Sequence, residues 1–434
     1  MTIKRYLIFF VLLYCGLNFN AQSQTKFTLN DCISAALNNN YDLIFTSHQK
    51  DYDKVLIKSA IGSYLPNLNL NAGYSHLIGN TNNLLSLNSY SLMMQANLLI
   101  YDGGRREANY RIAHSNAKFT ELQTQYLTEQ LKLNVYSQFV NIIRLQEVIK
   151  IRKEDIEVSK VQLANLQARH EAGMLPIDFI LSQEVEIGNK EILLLNAEID
   201  VNTSKQILLT TMGLDPSISA EFDASGIPNA ITKKELTDFR NKIGDLQNSI
   251  NTAFQNRIDY SSLTVSREIA LFSKDVAKSG YFPTFSANLG YGWQNIELKN
   301  FDVLQGSVGL NLSIPIFSNY STSLQAQQSE LNYQRENTAL LKLEQSIKAE
   351  VQTAYFNLES SEKAIEISEK SLVSARRNFE SMQGKMNAGI ATITDYITVN
   401  TQYITAQLNN ITSTYVYLNS RKNLLFTIGN YNQP

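Results

Sequence analysis

Four histidines, two cysteines and one pair of adjacent glycines are the residues of this 434-residue chain that first invite a chemical reading. His48, His76, His114 and His170 stand far apart, and none belongs to a His-Glu-x-x-His or Cys-His grouping. No Gly-x-Ser-x-Gly elbow marks a serine nucleophile. Gly103-Gly104 is not followed by the lysine pattern of a phosphate loop, so it reads as a turn that needs a permissive backbone. Two cysteines cannot build a disulfide scaffold or a four-cysteine metal site. Two aspartates remain. Asp178 follows Gly173 by five residues and Asp395 follows Gly389 by six, each at the start of a helical pattern, where a carboxylate complements the positive end of the helix dipole. No catalytic constellation emerges, and the chain reads as a non-enzyme with no cofactor and no metal.

Composition narrows the classes further. The formal net charge is −2 and charged residues make up 18%, so the basic footprint of nucleic-acid binding is missing and no nucleic-acid partner is expected. No apolar run in the body of the chain approaches the ~18 residues of a membrane helix, which excludes a helical inner-membrane transporter. At the N-terminus, Lys4 and Arg5 precede an apolar stretch from Tyr6 to Leu17. That stretch is too short to span a bilayer and suits a secretory signal, 1–21, cut after Ala21. Cys15 leaves lipidation open as an alternative. After cleavage Cys32 stands alone and reads as a small buried hydrophobe of the first helix.

The elements that must position any site come from a tandem duplication. Segment 33–74 aligns with 250–291 at a constant offset of 217 without gaps, and ten of the 42 positions are identical. Further along the offset is 216: Ala172-Gly173 matches Ala388-Gly389, and Gly213 matches Gly429. The expected organisation is a first repeat over 22–213, a connector over 214–245 containing Pro216, Gly226 and Pro228, and a second repeat over 246–434.

Each repeat reads as helix, two strands, long helix, helix. The strands are expected at about 66–78, 89–101, 283–294 and 305–317, from a clean period of two. Leu68, Leu70, Ala72 and Tyr74 alternate with Asn67, Asn69, Asn71 and Gly73; Phe285, Ala287, Leu289, Tyr291 and Trp293 alternate with Ser286, Asn288, Gly290 and Gly292. Runs of this length suffice for a tilted membrane strand of ~9–11 residues. The polar face of Asn, Ser, Thr and Gly suits a water-filled lumen. Tyr74, Tyr291 and Trp293 are candidates for an aromatic girdle at a membrane interface. Alternation alone also fits a half-buried sheet on a soluble core. Four strands cannot close a barrel with an aqueous bore, and an open sheet in lipid leaves unpaired edges, so if these strands lie in a membrane several copies must share one barrel.

Residues 104–171 and 319–387 contain no proline, and each stretch could form a helix of about 100 Å at ~1.5 Å per residue. Val135, Ile142, Ile149, Ile156 and Leu163 recur every seven residues; so do Leu358, Ile365, Leu372, Phe379 and Met386. A sustained seven-residue period means coiled-coil packing. Shorter helices are expected near 28–64, 177–212, 246–281 and 391–428.

In order and spacing, Tyr64-Leu65-Pro66 with Tyr281-Phe282-Pro283, Tyr101-Asp102-Gly103-Gly104-Arg105 and the two Ala-Gly turns make the chain similar to the TolC family of outer-membrane efflux proteins. The resemblance covers nearly all of the mature sequence. It implies a mainly α fold with a transmembrane β part. Four strands per protomer would join a trimeric twelve-stranded β-barrel, continuous with a long periplasmic α-helical barrel. It implies an exit duct in the outer membrane of a Gram-negative bacterium, gated at its periplasmic tip. Its partners would be two further copies of itself, outer-membrane lipid, a periplasmic adaptor (membrane fusion) protein and, through the adaptor, an inner-membrane pump or ABC transporter. By position, Asp395, Thr398 and Asp178 fall in the family's aperture region, with Thr398 where the family often has a second acid. Gly173, Met174, Leu175, Gly389, Ile390 and Ala391 fall where the adaptor is met. Ala391 replaces the family's tip arginine, and Phe317-Ser318-Asn319-Tyr320 lacks the glycines of Gly103-Gly104. A periplasmic coiled-coil adaptor or structural protein without a barrel is the alternative reading.

Overall fold

The computed structural model describes residues 25–78, 88–296 and 304–431. The expected signal at 1–21 with Cys15, and most of the residues between the paired strands, 79–87 and 297–303, lie outside the described residues. The order of elements is β1 (Thr25–Phe27), α1 (Leu29–Asn39), α2 (Tyr41–Gly62), β2 (Asn67–His76), β3 (Asn88–Tyr101), α3 (Arg105–Glu171), α4 (Asp178–Thr211), β4 (Ala220–Phe222) and α5 (Lys233–Ile243). There follow α6 (Leu246–Asn256), α7 (Ile258–Ser279), β5 (Thr284–Asn295), β6 (Leu304–Ser313), α8 (Ser321–Asn387) and α9 (Ile393–Thr427).

The chain forms two compact units. One holds residues 1–41, 130–244 and 354–426, and is a helical bundle of α1, α4, α5, α9 and the C-terminal halves of α3 and α8. Its core is the heptad seam: Val135, Ile142, Ile156, Leu358 and Ile365 are all buried. The short parallel pair β1–β4 belongs to this unit, so the segment 214–245 contributes a strand and α5. Thr232 and Glu235 close a capping box that starts α5. Cys32 is fully buried in α1, and burial pushes its thiol up to about 12.

The other unit holds residues 42–129, 245–353 and 427–434. It contains an antiparallel sheet in the order β2-β3-β5-β6, with β2 and β6 at the edges. Register places Asn67 opposite Asn97, Asn97 opposite Asn288, and Asn288 opposite Gly309. A bulge interrupts the β3–β5 ladder between Leu99 and Tyr101.

Two expectations need correction. The helices expected near 28–64 and 246–281 are each broken into two. Asn40 and Arg257, which stand 217 residues apart, adopt extended backbone (ψ 125° and 124°) and separate α1 from α2 and α6 from α7. Each break receives the end of a later helix. Asn40 Nδ2 donates to the Thr211 carbonyl at 3.0 Å, and a Cβ on Gly213 would overlap the Asn39 carbonyl. Likewise Arg257 donates to the Thr427 carbonyl at 3.4 Å, and a Cβ on Gly429 would meet the Asn256 backbone. Close approach of backbone to backbone, invisible in an apolar period, therefore sets the breaks. The last strand is also shorter than expected: β6 ends at Ser313, so Ile314 and Ile316 lie beyond it.

The two strand-to-helix elbows reach similar backbone by different residues. Gly103 and Gly104 have φ of 70° and 85°; Asn319 and Tyr320 take 50° and 62° without glycine. Gly104 has open space around it, whereas a Cβ on Gly103 would lie 2.7 Å from the Ser279 carbonyl oxygen. Gly104→Ala should therefore cost about 1 kcal/mol of backbone strain, and Gly103→Ala should cost more. The temperature at which each variant unfolds in detergent will show that order, and equal losses would contradict it.

Candidate functional site: an amphipathic sheet and two helical tips

None of β2, β3, β5 and β6 contains an Asp, Glu, Lys or Arg. One face carries Leu68, Leu70, Leu92, Met94, Leu289, Val308, Leu310 and Leu312, all exposed in the single chain. The other presents Asn71, whose Nδ2 donates to Gln95 Oε1 at 3.4 Å, with rows of Asn, Ser and Gly beside it. An apolar face left open on one side and a neutral, hydrogen-bonding face on the other is the pattern of a strand between lipid and an aqueous bore.

Aromatic residues gather at both ends of these strands. Tyr74 and Tyr291 are 61% and 57% exposed, and Tyr74 donates from its hydroxyl to Asn88 Oδ1 at 3.1 Å. Trp293 is 4% exposed, so it does not offer its ring to solvent as those two do. At the other strand ends Tyr64, Tyr101, Tyr281, Phe282, Phe317 and Tyr320 are exposed. The sequence analysis used some of these as motif residues without reading them as a second girdle. Their position just outside the alternating runs was the available signal. Arg106 fixes this end of β3. Its guanidinium donates to the Leu99 and Ile100 carbonyls at 2.6 and 2.8 Å, at the bulge, and lies 4.8 Å over the Tyr64 ring.

The tips belong to the helical bundle. Both long helices end in the same motif. Gly173 and Gly389 have φ of 74° and 76°. Met174 N donates to the Arg169 carbonyl and Gly173 N to that of His170; Ile390 N donates to Lys385 and Gly389 N to Met386. These are paired Schellman caps. Beneath them Leu166, Ile180, Met386, Ile393 and Tyr396 form a buried cluster, with Leu175 and Ala391 packed against it. Met174 and Ile390, 216 residues apart in sequence, are 71% and 78% exposed. Arg169 donates to the Met386 carbonyl at 3.2 Å and ties one hairpin to the other.

The candidate aperture residues are all exposed, Asp178 and Asp395 on the first turns of their helices and Thr398 one turn further along α9. Asp395 accepts from Thr392 Oγ1 at 2.7 Å, while its own N–H donates to that oxygen at 3.1 Å, so it completes the N-cap of α9. Thr398 donates to the Thr394 carbonyl at 2.8 Å. Asp178 opens α4. Each carboxylate thus sits at a helix N-terminus and still faces outward, which keeps its charge available.

A group missed in the sequence lies deeper. Lys190 of α4 donates to Asp155 Oδ1 of α3 at 2.7 Å and to Ser159 Oγ at 2.8 Å. Asn400 of α9 donates to the same Asp155 oxygen at 2.9 Å. All four residues are at most 5% exposed. Burial, with the Asp155 carboxylate near it, pushes the Tyr396 phenol above its ordinary range. The signal was present: Lys190 interrupts the buried series Ile180, Ile187, Ala197, Val201 and Leu208. A buried ion pair seldom stabilises a fold, but polar groups in a heptad seam fix its register. Helices with a strict seven-residue repeat can otherwise slip by one heptad. Lys190→Met alone leaves Asp155 buried without its cation and should cost about 3–5 kcal/mol. Asp155→Leu with Lys190→Met should recover most of that loss. Chemical denaturation of the three variants tests this, and an equally damaged double variant would contradict it.

Among the described residues no group of His, Cys, Asp or Glu could hold a metal, and no helix is long and apolar enough to cross a membrane. The four strands of the sheet carry the alternation of membrane strands. Comparison with known proteins agrees with that geometry. The chain is 22% identical over 420 residues to outer membrane protein TolC of Vibrio cholerae, covering 92% of this chain and 90% of that one. Its fold superposes on the outer membrane protein VceC of Vibrio cholerae with a TM-score of 0.79 at 14% identity, covering 92% and 96% of the two chains. It superposes on the CmeC outer membrane channel of Campylobacter jejuni with a TM-score of 0.80 at 16% identity, covering 94% and 87%. The family profile described as Outer membrane efflux protein matches residues 32–214 and again 249–430, one match for each repeat. With an uncharged amphipathic sheet, a duplicated helical hairpin and both repeats matched, this chain belongs to the outer membrane efflux protein family.

Proposed function

We propose that three copies of this chain form a passive exit duct whose periplasmic tip is its gate. Membership of the family makes it an outer-membrane efflux channel and removes the alternative of an adaptor without a barrel. The observation that carries the trimer is the sheet: four strands with two open edges and no charge, too few for an aqueous bore. Three such sheets give twelve strands and no edge.

The duct performs no chemistry of its own. Its energy comes from an inner-membrane pump or ABC transporter, reached through a periplasmic adaptor that touches the tips. Met174 and Ile390 are the apolar side chains that project there, and Gly173, Leu175, Gly389 and Ala391 shape the turns that present them. Residues 1–21 direct export and are removed. The repeats at 22–213 and 246–434 build the duct, with 214–245 as an equatorial connector.

Asp395 lines the aperture as a ring of three carboxylates, beside Thr398 and Asp178. Such a ring draws cations and repels anions at a constriction. In planar bilayers with a salt gradient, wild-type channels should prefer cations, and Asp395→Asn should reduce that preference. Thr392→Ala removes the cap and keeps the charge, so it should leave selectivity in place. Unchanged selectivity in Asp395→Asn would remove Asp395 from the aperture.

A further inference from the structure

The connector 214–245 touches both repeats, and it touches them at one equivalent position. In the first repeat, Gln146 Nε2 of α3 donates to the Phe222 carbonyl of β4 at 3.4 Å. Moving Gln146 by 216 residues gives Glu362 of α8. Arg240 of α5 lies 3.2 Å from Glu362 Oε2. Two further contacts fasten α5 here: Arg421 of α9 lies 4.8 Å over the buried Phe239 ring, and Tyr355 of α8 donates to the Gly244 carbonyl at 3.4 Å. A neutral amide therefore serves for the first grip, and a titratable carboxyl stands in its place in the second.

Glu362 is poorly housed as a carboxylate. Its side chain is 12% exposed, and its Oε1 is closed off from solvent and accepts no hydrogen bond from the described residues. Arg240 is 46% exposed, so water screens much of its attraction. The hydroxyl of Tyr417 on α9 is buried and also has no partner among the described residues; the first repeat has Val201 at that position. A buried carboxylate oxygen without a hydrogen bond is costly, whereas the protonated acid is uncharged and gains an O–H donor. Burial accordingly pushes the Glu362 carboxyl above its ordinary range, with Arg240 opposing and Glu359 adding. Burial pushes the Tyr417 phenol up to about 12, with Arg421 opposing and Glu362 and Glu235 adding. Glu359 is pushed down by a hydrogen bond from Lys363, and Glu235 by one from the Thr232 backbone. Between mildly acid and neutral pH, Glu362 is thus the group of this cluster that changes charge.

We propose that Glu362 is a proton-dependent latch: α5 grips α8 and α9 firmly while Glu362 carries a proton and loosely when it is a carboxylate, whereas the grip of β4 on Gln146 does not change. The direction follows from linkage. Docked, the carboxyl holds its proton at higher pH than it does when free in water. The docking is therefore strongest at and below the ordinary glutamate range and weakens as pH rises through the raised one. The latch acts on the hairpin whose α9 begins beside Asp395. Release of α5 therefore frees the helix of the proposed aperture. That consequence rests on the gate reading, and the latch itself does not.

The test is amide hydrogen exchange of the full-length protein in detergent, corrected for the intrinsic effect of pH, at about pH 5 and about pH 8. Protection of α5 should fall several-fold from the lower pH to the higher, while β4 stays level. Glu362→Gln copies the first repeat and should keep α5 at its acid level at both pH values. Arg240→Gln removes the opposing cation and should widen the fall. Equal protection of α5 at both pH values in the wild type, or a parallel fall in β4, overturns the latch. So does a Glu362→Gln protein less protected than the wild type at the higher pH, because the ion pair with Arg240 would then outweigh the burial of Glu362. Planar bilayers supply the second arm. The open fraction of wild-type channels should rise with pH, and that of Glu362→Gln should not. Exchange that follows the expected pattern with an open fraction indifferent to pH overturns the link to the aperture and supports the latch alone.

Discussion

Unpaired backbone at a sheet edge is the constraint on which this protein depends. In hydrocarbon each unsatisfied N–H or C=O costs several kcal/mol, because no water replaces the missing partner. The sheet ends in two such edges, β2 and β6, and its exposed face is Leu, Val and Met. Neither water nor lipid suits a single copy of it. Closure with further copies satisfies the edges, turns the apolar face to lipid and the Asn-rich face to a shared bore. The absence of charge in all four strands suits the same demand, since a charged side chain facing hydrocarbon would be costly.

The helical bundle solves a different problem. Two 67-residue helices with a seven-residue repeat hold much apolar surface but little information about alignment. The register comes from a few places where polar groups or glycines allow one fit only. Asp155, Lys190 and Asn400 meet in one seam. Gly213 and Gly429 press against the breaks at Asn40 and Arg257. Arg169 reaches the Met386 carbonyl between the tips. Duplication makes these fixings partly repeat and partly diverge: the helix breaks and the Schellman caps are shared by both halves, whereas the buried ion pair belongs to the first alone.

Much of this was legible in the sequence where a period exists. Alternation from Asn67 to His76 and from Thr284 to Asn295 marks strands because each side chain meets one of two unlike environments. The seven-residue series ending at Leu163 and Met386 marks the coiled coil. What has no period was not legible. The break at Asn40 depends on a helix end arriving from 171 residues away. Trp293 fits the alternation yet is buried, because its surroundings and not its strand position decide its exposure. Tyr320 adopts a conformation usually left to glycine, so the missing glycines of the second elbow did not mean a different turn. Asp395 is a helix cap by geometry, and that geometry leaves its outward charge free for a second use.

The most direct measurement is the mass of the mature protein extracted from isolated outer membranes in mild detergent, with the detergent mass subtracted. A particle of three copies, found in the outer-membrane fraction, is the result the shared barrel predicts. A single copy, released from membranes without detergent, would contradict it, since a lone four-stranded sheet could not then have met lipid at all.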